Sequence, residues 1–478
     1  MSIKHDVAEP MALPAENPRP KSNGLKALIR RLHFYAGMFI GPFILVAALS
    51  GAAYALAPSM ENLVYGDILK VQPAEQSVPL QQQVDNALAS QPEMTVAQVW
   101  PATKPEDSTR VLLVDESLGE ERLRSVFVDP GDGEVIGSEP SYSGLGELPL
   151  RRVISSLHES LMLGAPGEMY SELAASWLWF VVLGGLFLWW RRQGWRKLLS
   201  RRRTEKDNSA EKLSGSKNRN WHVNTHGVLG TWLLVAMLGL SATGITWSTF
   251  AGANVSSTVS ALQGEPRKIE TSLGGAQVTS EKGEDHSQHG GSMPGGESLR
   301  GEEISSQAQR VLDAARAEGL TGPVRLYPPE DGDHAWQASE RWVPWRITSD
   351  AVSVNGETGA VVDRLPFAEL PLFSKLTSWG IYLHMGIMFG LPLQLVLCAT
   401  GLGIAALVVL GYIAWWKRRP TRAGVAGLPG SSRTLRPGEW VIVLGFLLTV
   451  GLFLPLFGIS LAAMILVDRV LAARARAQ

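Results

Sequence analysis

The chain has 478 residues, 45% of them apolar and 19% charged, with a formal net charge of −1. Five stretches, Gly37–Ala57, Leu173–Trp190, Gly227–Val255, Leu376–Trp416 and Val441–Val467, contain no Asp, Glu, Lys or Arg. Uncharged runs of ~18 residues or more can cross the ~30 Å hydrocarbon layer, which excludes a soluble enzyme. The single cysteine, Cys398, excludes structural disulfides, iron–sulfur clusters and Cys-x-x-Cys-His haem attachment, so any redox cofactor must be held non-covalently.

In chain order, residues 1–30 read as a cytoplasmic tail and 31–57 as a first membrane helix, retained as an anchor because it lacks a small-residue cleavage site. Residues 58–150 are acid-rich and fall outside as a small α+β unit. A helix over Leu80–Ala89 precedes β-prone segments and a hairpin turning at Asp129–Gly133. Residues 151–190 hold an interfacial helix and the second membrane helix. The connector 191–221 carries eleven Lys or Arg against three acids, which makes it cytoplasmic by the positive-inside rule. Lys21, Lys26, Arg30 and Arg31 before the first helix, and Lys417, Arg418 and Arg419 after the fourth, mark the same side.

A third membrane helix over 222–250 leads into a second outside α+β unit, 251–374. It has a helix over Ile304–Ala317, a turn at Asn355–Gly359 and a Gly/Ser/Glu-rich insert at 264–301. Residues 375–416 hold an interfacial helix and the fourth membrane helix. One continuous helix over the 41 residues of Leu376–Trp416 would reach ~60 Å, twice the bilayer core, so a break is expected at Gly390-Leu-Pro392. After a cytoplasmic loop, 417–438, a fifth helix over 439–467 enters from the cytoplasm and should end outside. Pro455 at its centre permits a kink, and Arg469, Arg474 and Arg476 fit an outside end poorly.

The two halves match at fixed offsets. His33 is followed by Gly37 and by Ser50-Gly51, and His226 by Gly230 and Thr243-Gly244. Asp129–Gly133 matches Asn355–Gly359. Leu157-His158 and Leu383-His384 are each followed by Met at four residues, Gly at six, and a Trp-Trp pair and basic pair further on. The expected fold is an internally duplicated α-helical integral membrane protein, with two outside α+β domains, four core helices and one C-terminal helix. Repeats of this kind place functional sites at their interface.

Four histidines therefore occupy equivalent positions at helix ends, where ionisable residues are functional candidates by default. His33 and His226 lie near the cytoplasmic side, His158 and His384 near the outer side. A bis-histidine pair on facing helices is what a b-type haem needs, so two layers, each with one non-covalent haem b, are expected. Gly37, Gly41 and Gly230 share a helical face with these histidines and make room for a flat macrocycle, although close helix contact uses glycine equally. Arg30, Arg31, Arg151, Arg152 and Lys375 are placed either to meet haem propionates or to snorkel at the interface. His222, one turn before His226, reads as an alternative ligand, a propionate contact or neither. Met162 and Met388 are axial candidates, with core packing the plainer reading. Trp177, Trp179, Trp189, Trp190, Trp415 and Trp416 suit an aromatic belt. His286, His289 and Met293 in the insert are candidate copper or iron contacts or simply solvated sequence.

The Arg-Leu-His33 start with Gly37 and Ser50-Gly51, the Val-Phe-Val-Asp129 hairpin, Leu-His158 and their second-half copies resemble the PepSY-associated transmembrane family of bacterial inner-membrane proteins, over about residues 25–420. Members include haem-containing reductases of ferric siderophores. The resemblance implies periplasmic PepSY domains, b-type haem at the matching positions His33, His158, His226 and His384, and electron delivery to an iron chelate. The histidine-containing insert departs from the family pattern, and no flavodoxin-like or nucleotide-binding module follows the fourth helix. No Gly-rich dinucleotide fingerprint appears, so an outside electron donor, a cytoplasmic reductase or a quinol, is required.

The leading expectation is a di-haem transmembrane ferric-chelate reductase of the inner membrane. Its partners are the lipid bilayer, a ferric siderophore or other metal chelate and the electron donor, with no nucleic acid. The competing expectations are a PepSY sensor or peptidase-regulating module without redox activity and a copper-handling membrane protein.

Overall fold

The computed structural model describes residues 24–119, 121–199, 214–274, 301–329, 331–417 and 435–477. The chain opens with α1 (Gly24–Phe39) and α2 (Gly41–Val64), which are nearly continuous. Only Ile40 separates them, and its N–H still donates to the Ala36 carbonyl at 2.8 Å. Pro42 has no N–H to offer the Met38 carbonyl one turn back. The Tyr412 hydroxyl donates to that carbonyl instead, at 2.8 Å, so the break is satisfied from a neighbouring helix.

A short turn α3 (Gly66–Leu69) and helix α4 (Leu80–Ser90) precede strands β1 (Thr95–Trp100), β2 (Thr109–Val114), β3 (Arg122–Val128) and β4 (Val135–Tyr142). Then come α5 (Pro149–Ser160), α6 (Ala165–Leu199), α7 (Ser214–Trp232), α8 (Leu234–Thr246) and α9 (Thr249–Gln263). The second half continues with α10 (Gly301–Ala317), β5 (Val324–Tyr327), β6 (Trp336–Glu340), β7 (Ala351–Val354), β8 (Val361–Leu365), α11 (Leu372–His384) and α12 (Leu391–Trp416). The chain closes with α13 (Pro437–Phe453) and α14 (Pro455–Ala477). Helices α2, α6 and α12 are long and apolar enough to cross a membrane, and α7 with α8 passes the same test as one pair bent by 63°. At that bend the Thr231 hydroxyl donates to the Gly227 carbonyl at 2.8 Å, a back-bond that bends helices.

The eight strands form one antiparallel sheet in the order β4-β3-β2-β1-β5-β6-β7-β8. The two outside units expected as separate domains thus meet edge to edge where β1 pairs β5, Val99 opposite Leu326. Each half turns a hairpin at its expected place. Gly133 and Gly359 hold left-handed backbone (φ 81° and 73°) and donate to the Asp129 and Asn355 carbonyls, both at 2.8 Å. Helices α4 and α10 cover one sheet face. Val84, Ala87, Ala308 and Val311 pack with Val99, Val111, Val126, Leu326 and Ala338 in a single core spanning both lobes. The pairing of two edges also hides what would otherwise be exposed strand edges at the centre.

The C-terminal segment corrects the expectation of a single helix over 439–467. The helix stops at Phe453, Leu454 breaks the geometry, and α14 runs back against α13 with Gly458 pressed on Gly451. Both ends of this hairpin reach α1. The Glu439 carboxylate accepts from the Leu25 N–H at 3.2 Å, and Asp468 takes Arg31 at 2.6 Å. Chain direction therefore reverses, and Arg469 and Arg474 lie at the basic end of the bundle that they suit. Trp177 departs from the aromatic-belt expectation. It is fully buried against Phe180 and Phe457 and donates to Ser460 Oγ at 2.8 Å. Trp190 and Trp416 stay exposed, as belt residues do.

Candidate site at two histidine pairs

The bundle brings four histidines together as two pairs. His33 of α1 and His226 of α7 have ring centres 6.4 Å apart, with planes at 86°. His158 of α5 and His384 of α11 have ring centres 6.2 Å apart, with planes at 51°. The pairs sit in separate layers. His158 contacts Ser50, seventeen residues after His33 along α1 and α2, a helical rise of about 26 Å.

Helix ends position the sheet-side pair. Helix α5 stops where Leu161 and Met162 take left-handed backbone (φ 53° and 60°), and α11 stops before Gly386 (φ 73°). Both interfacial helices thereby end with their histidine beside a membrane helix. The breaks before α6 and α12 fall at Gly164 and Gly390, the second where the sequence Gly390-Leu-Pro392 placed it.

The hydrogen bonds bear on which ring nitrogen carries the proton. Ser50 Oγ lies 3.0 Å from His158 Nδ1, and the serine hydroxyl donates its one proton to the Val46 carbonyl at 2.8 Å. Thr243 Oγ1 lies 2.6 Å from His384 Nδ1 and donates to the Gly239 carbonyl at 2.9 Å. With the hydroxyl protons on those carbonyls, each hydroxyl accepts and the Nδ1 atoms donate. His226 Nδ1 faces the Leu407 carbonyl at 2.9 Å, which only accepts. Three imidazoles are therefore Nδ1-protonated, with a lone pair on Nε2, the form that ligates metals. The ring of His33 is buried against α6 and faces the Val181 backbone, with its Nδ1 short of a full hydrogen bond.

Glycine sets how closely the helices approach the rings. A Cβ on Gly185 would lie 3.0 Å from His33 Cε1, and one on Gly51 would lie 3.0 Å from His158 Cε1. At Gly37 the same addition meets nothing within 4 Å, so that face of His33 borders open space. Tyr54 stacks on His158 with ring centres 6.4 Å apart and planes at 10°, and Trp247 leans on His384 at 5.9 Å.

The model of the PepSY-associated TM region matches residues 30–418. The chain belongs to this family. No curated protein matches the chain. All four paired histidines lie inside the PepSY-associated TM region, whereas the α13–α14 hairpin lies beyond it.

Around this PepSY-associated core the other candidate residues take varied places. Arg151 is buried and ion-paired to Glu147 at 3.1 Å and Glu61 at 3.8 Å, and it donates to the Tyr54 hydroxyl at 3.1 Å. It therefore ties α2 to α5 and supports the ring that stacks on His158. Arg31 is taken by Asp468, Arg152 by Glu121 and Glu159, and Lys375 by the Ala368 carbonyl. Arg30 is exposed on α1. Lys417 donates to His222 Nε2 at 2.7 Å, which turns the ligating nitrogen of that ring to a lysine rather than to the pair. Met388 is buried beside Tyr54 and Tyr382, and Met162 is exposed. His286, His289 and Met293 lie outside the described residues. Among the described residues no group of three or more His, Cys, Asp or Glu is arranged to hold a bare metal ion. Ser50, Thr243, Gly185 and Tyr54 were not singled out as site residues. The signal for two of them was present, since Ser50-Gly51 and Thr243-Gly244 recur at the same offset from His33 and His226.

Proposed function

We propose that each histidine pair holds one b-type haem and that the protein carries electrons across the inner membrane to a ferric chelate in the periplasm, releasing Fe(II). The observation that carries this reading is the separation of the rings. With a metal–nitrogen bond of about 2 Å and each nitrogen about 1.1 Å from its ring centre, two imidazoles on opposite sides of one iron have centres about 6 Å apart. The pairs stand at 6.4 and 6.2 Å. Ordinary ring packing falls in the same range, as Tyr54 on His158 does at 6.4 Å, so the distance supports the reading together with the repeat-equivalent places of the four histidines.

His33 and His226 would be the axial ligands at the basic end, and His158 and His384 those at the sheet end. Bound there, haem supplies a one-electron carrier at each face. The chain's own residues do the rest. Ser50, Thr243 and the Leu407 carbonyl hold the Nδ1 protons, which keeps the rings oriented and their Nε2 atoms basic. The apolar bundle around them, including the Trp177–Phe457 cluster, excludes water. A haem held by two of the chain's imidazoles would favour outer-sphere transfer over oxygen chemistry. Ferric iron binds hard oxygen chelators far more tightly than ferrous iron, so one-electron reduction releases the metal and leaves the chelator intact. The sheet belongs on the periplasmic side by the positive-inside rule, because the basic residues Lys26, Arg30, Arg31 and Lys417 sit at the helix ends away from it. Electrons enter from a cytoplasmic reductase or a membrane quinol.

The test is a pyridine haemochrome assay with stoichiometry on the purified protein, followed by addition of a ferric chelate to the reduced form. Two haems per chain and reoxidation by the chelate are expected. A colourless protein, isolated after expression with ample iron and porphyrin precursor, would overturn the reading and leave a regulatory membrane module.

A further inference from the structure

The sheet face opposite α4 and α10 carries a cluster that the histidine pairs leave unused. Trp100 ends β1 and is buried to 3% exposure. Three guanidinium groups stand over its ring, with Cζ of Arg341 at 4.3 Å, Arg325 at 4.6 Å and Arg110 at 4.9 Å from the centre. Arg110 comes from β2 of one lobe, Arg325 and Arg341 from β5 and the end of β6 in the other. They meet only because β1 pairs with β5.

Three like charges in this space repel one another. Burial first lowers Arg341 to about 9 and Arg110 to about 10 from the usual guanidinium value, with neighbouring arginines adding to it and Glu61 opposing it at Arg110, as Asp107 does at Arg341. The nearby acids are committed elsewhere, Glu61 and Glu147 to Arg151 and Asp107 to Lys70. Among the described residues no carboxylate forms an ion pair with Arg110, Arg325 or Arg341. Carbonyl groups of the Gly144–Gly146 turn take one nitrogen each from Arg325 and Arg110, both at 2.7 Å. Arg325 Nε is buried with no partner at all. Arg110, Arg325 and Arg341 are each half-buried. Gly146 (φ 64°) lets the turn press on Trp100, where a Cβ would overlap the indole. The arginines are thus fixed in place by a ring and a turn, with donors left over.

The cluster is also linked through near neighbours to the outer histidines. Arg110 is in electrostatic reach of Arg151, which holds the Tyr54 stacked on His158. Arg325 is in reach of Tyr382, two residues before His384.

We propose that Arg110, Arg325 and Arg341 form a pocket for an oxygen-rich anion and, resting on the function proposed above, that the chelate handled by this chain is an anionic one with carboxylate or catecholate donors. The arginine fork suits such oxygens, and delivery beside His158 and His384 suits an electron acceptor.

The experiment measures binding of gallium(III) citrate, an anionic and redox-inert chelate, to the purified full chain by calorimetry. A neutral gallium tris-hydroxamate is the comparison. Preference for the anion by about 10-fold or more, weakening as salt rises, is expected of the wild-type protein. Arg325→Gln and Arg341→Gln should each weaken it roughly 10-fold, as for loss of a charged hydrogen bond, with haem content unchanged. Equal binding of both complexes, salt-independent binding, or no binding would overturn the proposal. So would loss of haem rather than of gallium citrate in the variants, which would give the arginines to the propionates. Because gallium is not reduced, tight anion binding by a chain that never reduces the iron complex would sink the reductase reading and leave the pocket standing.

Discussion

Thr243 and His384 meet through a 2.6 Å contact between Oγ1 and Nδ1, and Ser50 meets His158 in the same way at 3.0 Å. Each hydroxyl belongs to the membrane helix of the same half as its histidine. The contact orients an imidazole that sits at the frayed end of an interfacial helix, where nothing in its own helix would hold it. Partners of this kind change metal-site affinity by about 10–100-fold when removed. Thr243→Val keeps the shape and deletes the acceptor. Under the haem reading it should lower retention of the outer haem by that order, measured as haem released during purification and titration. Thr243→Ser should restore it.

Removal of one outer ligand tests the two-layer arrangement. His384→Ala takes away one ring of the pair at 6.2 Å and leaves the pair at 6.4 Å untouched. Half of the haemochrome signal should remain. The surviving signal should also be the more anisotropic in low-spin electron paramagnetic resonance. If the rings held iron at these angles, the pair at 86° would leave two of its d orbitals closer in energy than the pair at 51° would. Equal loss of both haems would contradict independent layers.

Gly185 and Gly37 lie near the same histidine and should respond differently to one methyl group. At Gly185 a Cβ comes 3.0 Å from His33 Cε1, so the ring must shift by a few tenths of an ångström. At Gly37 nothing lies within 4 Å. Under the haem reading Gly185→Ala should therefore weaken the inner haem, with a shifted reduced band or midpoint potential, and Gly37→Ala should be tolerated only if the macrocycle leaves the Gly37 face free. If Gly37→Ala is the more damaging, the macrocycle lies on the Gly37 face and fills the open space there.

Much of this site was legible in the sequence because it is carried by local, repeated spacing. The histidines, the small-Gly pairs seventeen residues on, and the hairpin turns all recur at fixed offsets, so chain order alone exposed them. Two features were not legible, for different reasons. The β1–β5 junction joins strands more than two hundred residues apart, and a strand edge carries no mark of its eventual partner. The last apolar run, Val441–Val467, carries no charge to mark a turn, and Pro455 reads equally as a kink in one helix or the start of a second. The arginine residues Arg469, Arg474 and Arg476 were the only local sign of a return.

Asp468 decides that return. Its carboxylate receives Arg31 Nε at 2.6 Å and Nη2 at 3.0 Å, and the Tyr35 hydroxyl at 3.0 Å, with both charged side chains 6% exposed. A pair of this kind is weak evidence of net stabilisation, yet breaking it strands a buried cation, which costs about 3–5 kcal/mol. Asp468→Ala should therefore lower the thermal unfolding midpoint markedly. Because α14 is anchored to the bundle at that point, it should also free the C-terminal hairpin to proteolysis. Arg31→Met with Asp468→Leu removes both charges and should recover most of the loss. A reporter fused to Gln478 should lie on the same face of the membrane as one placed in the 200–213 connector. Opposite faces would mean that the last segment crosses once, and the ion pair with Arg31 could not form.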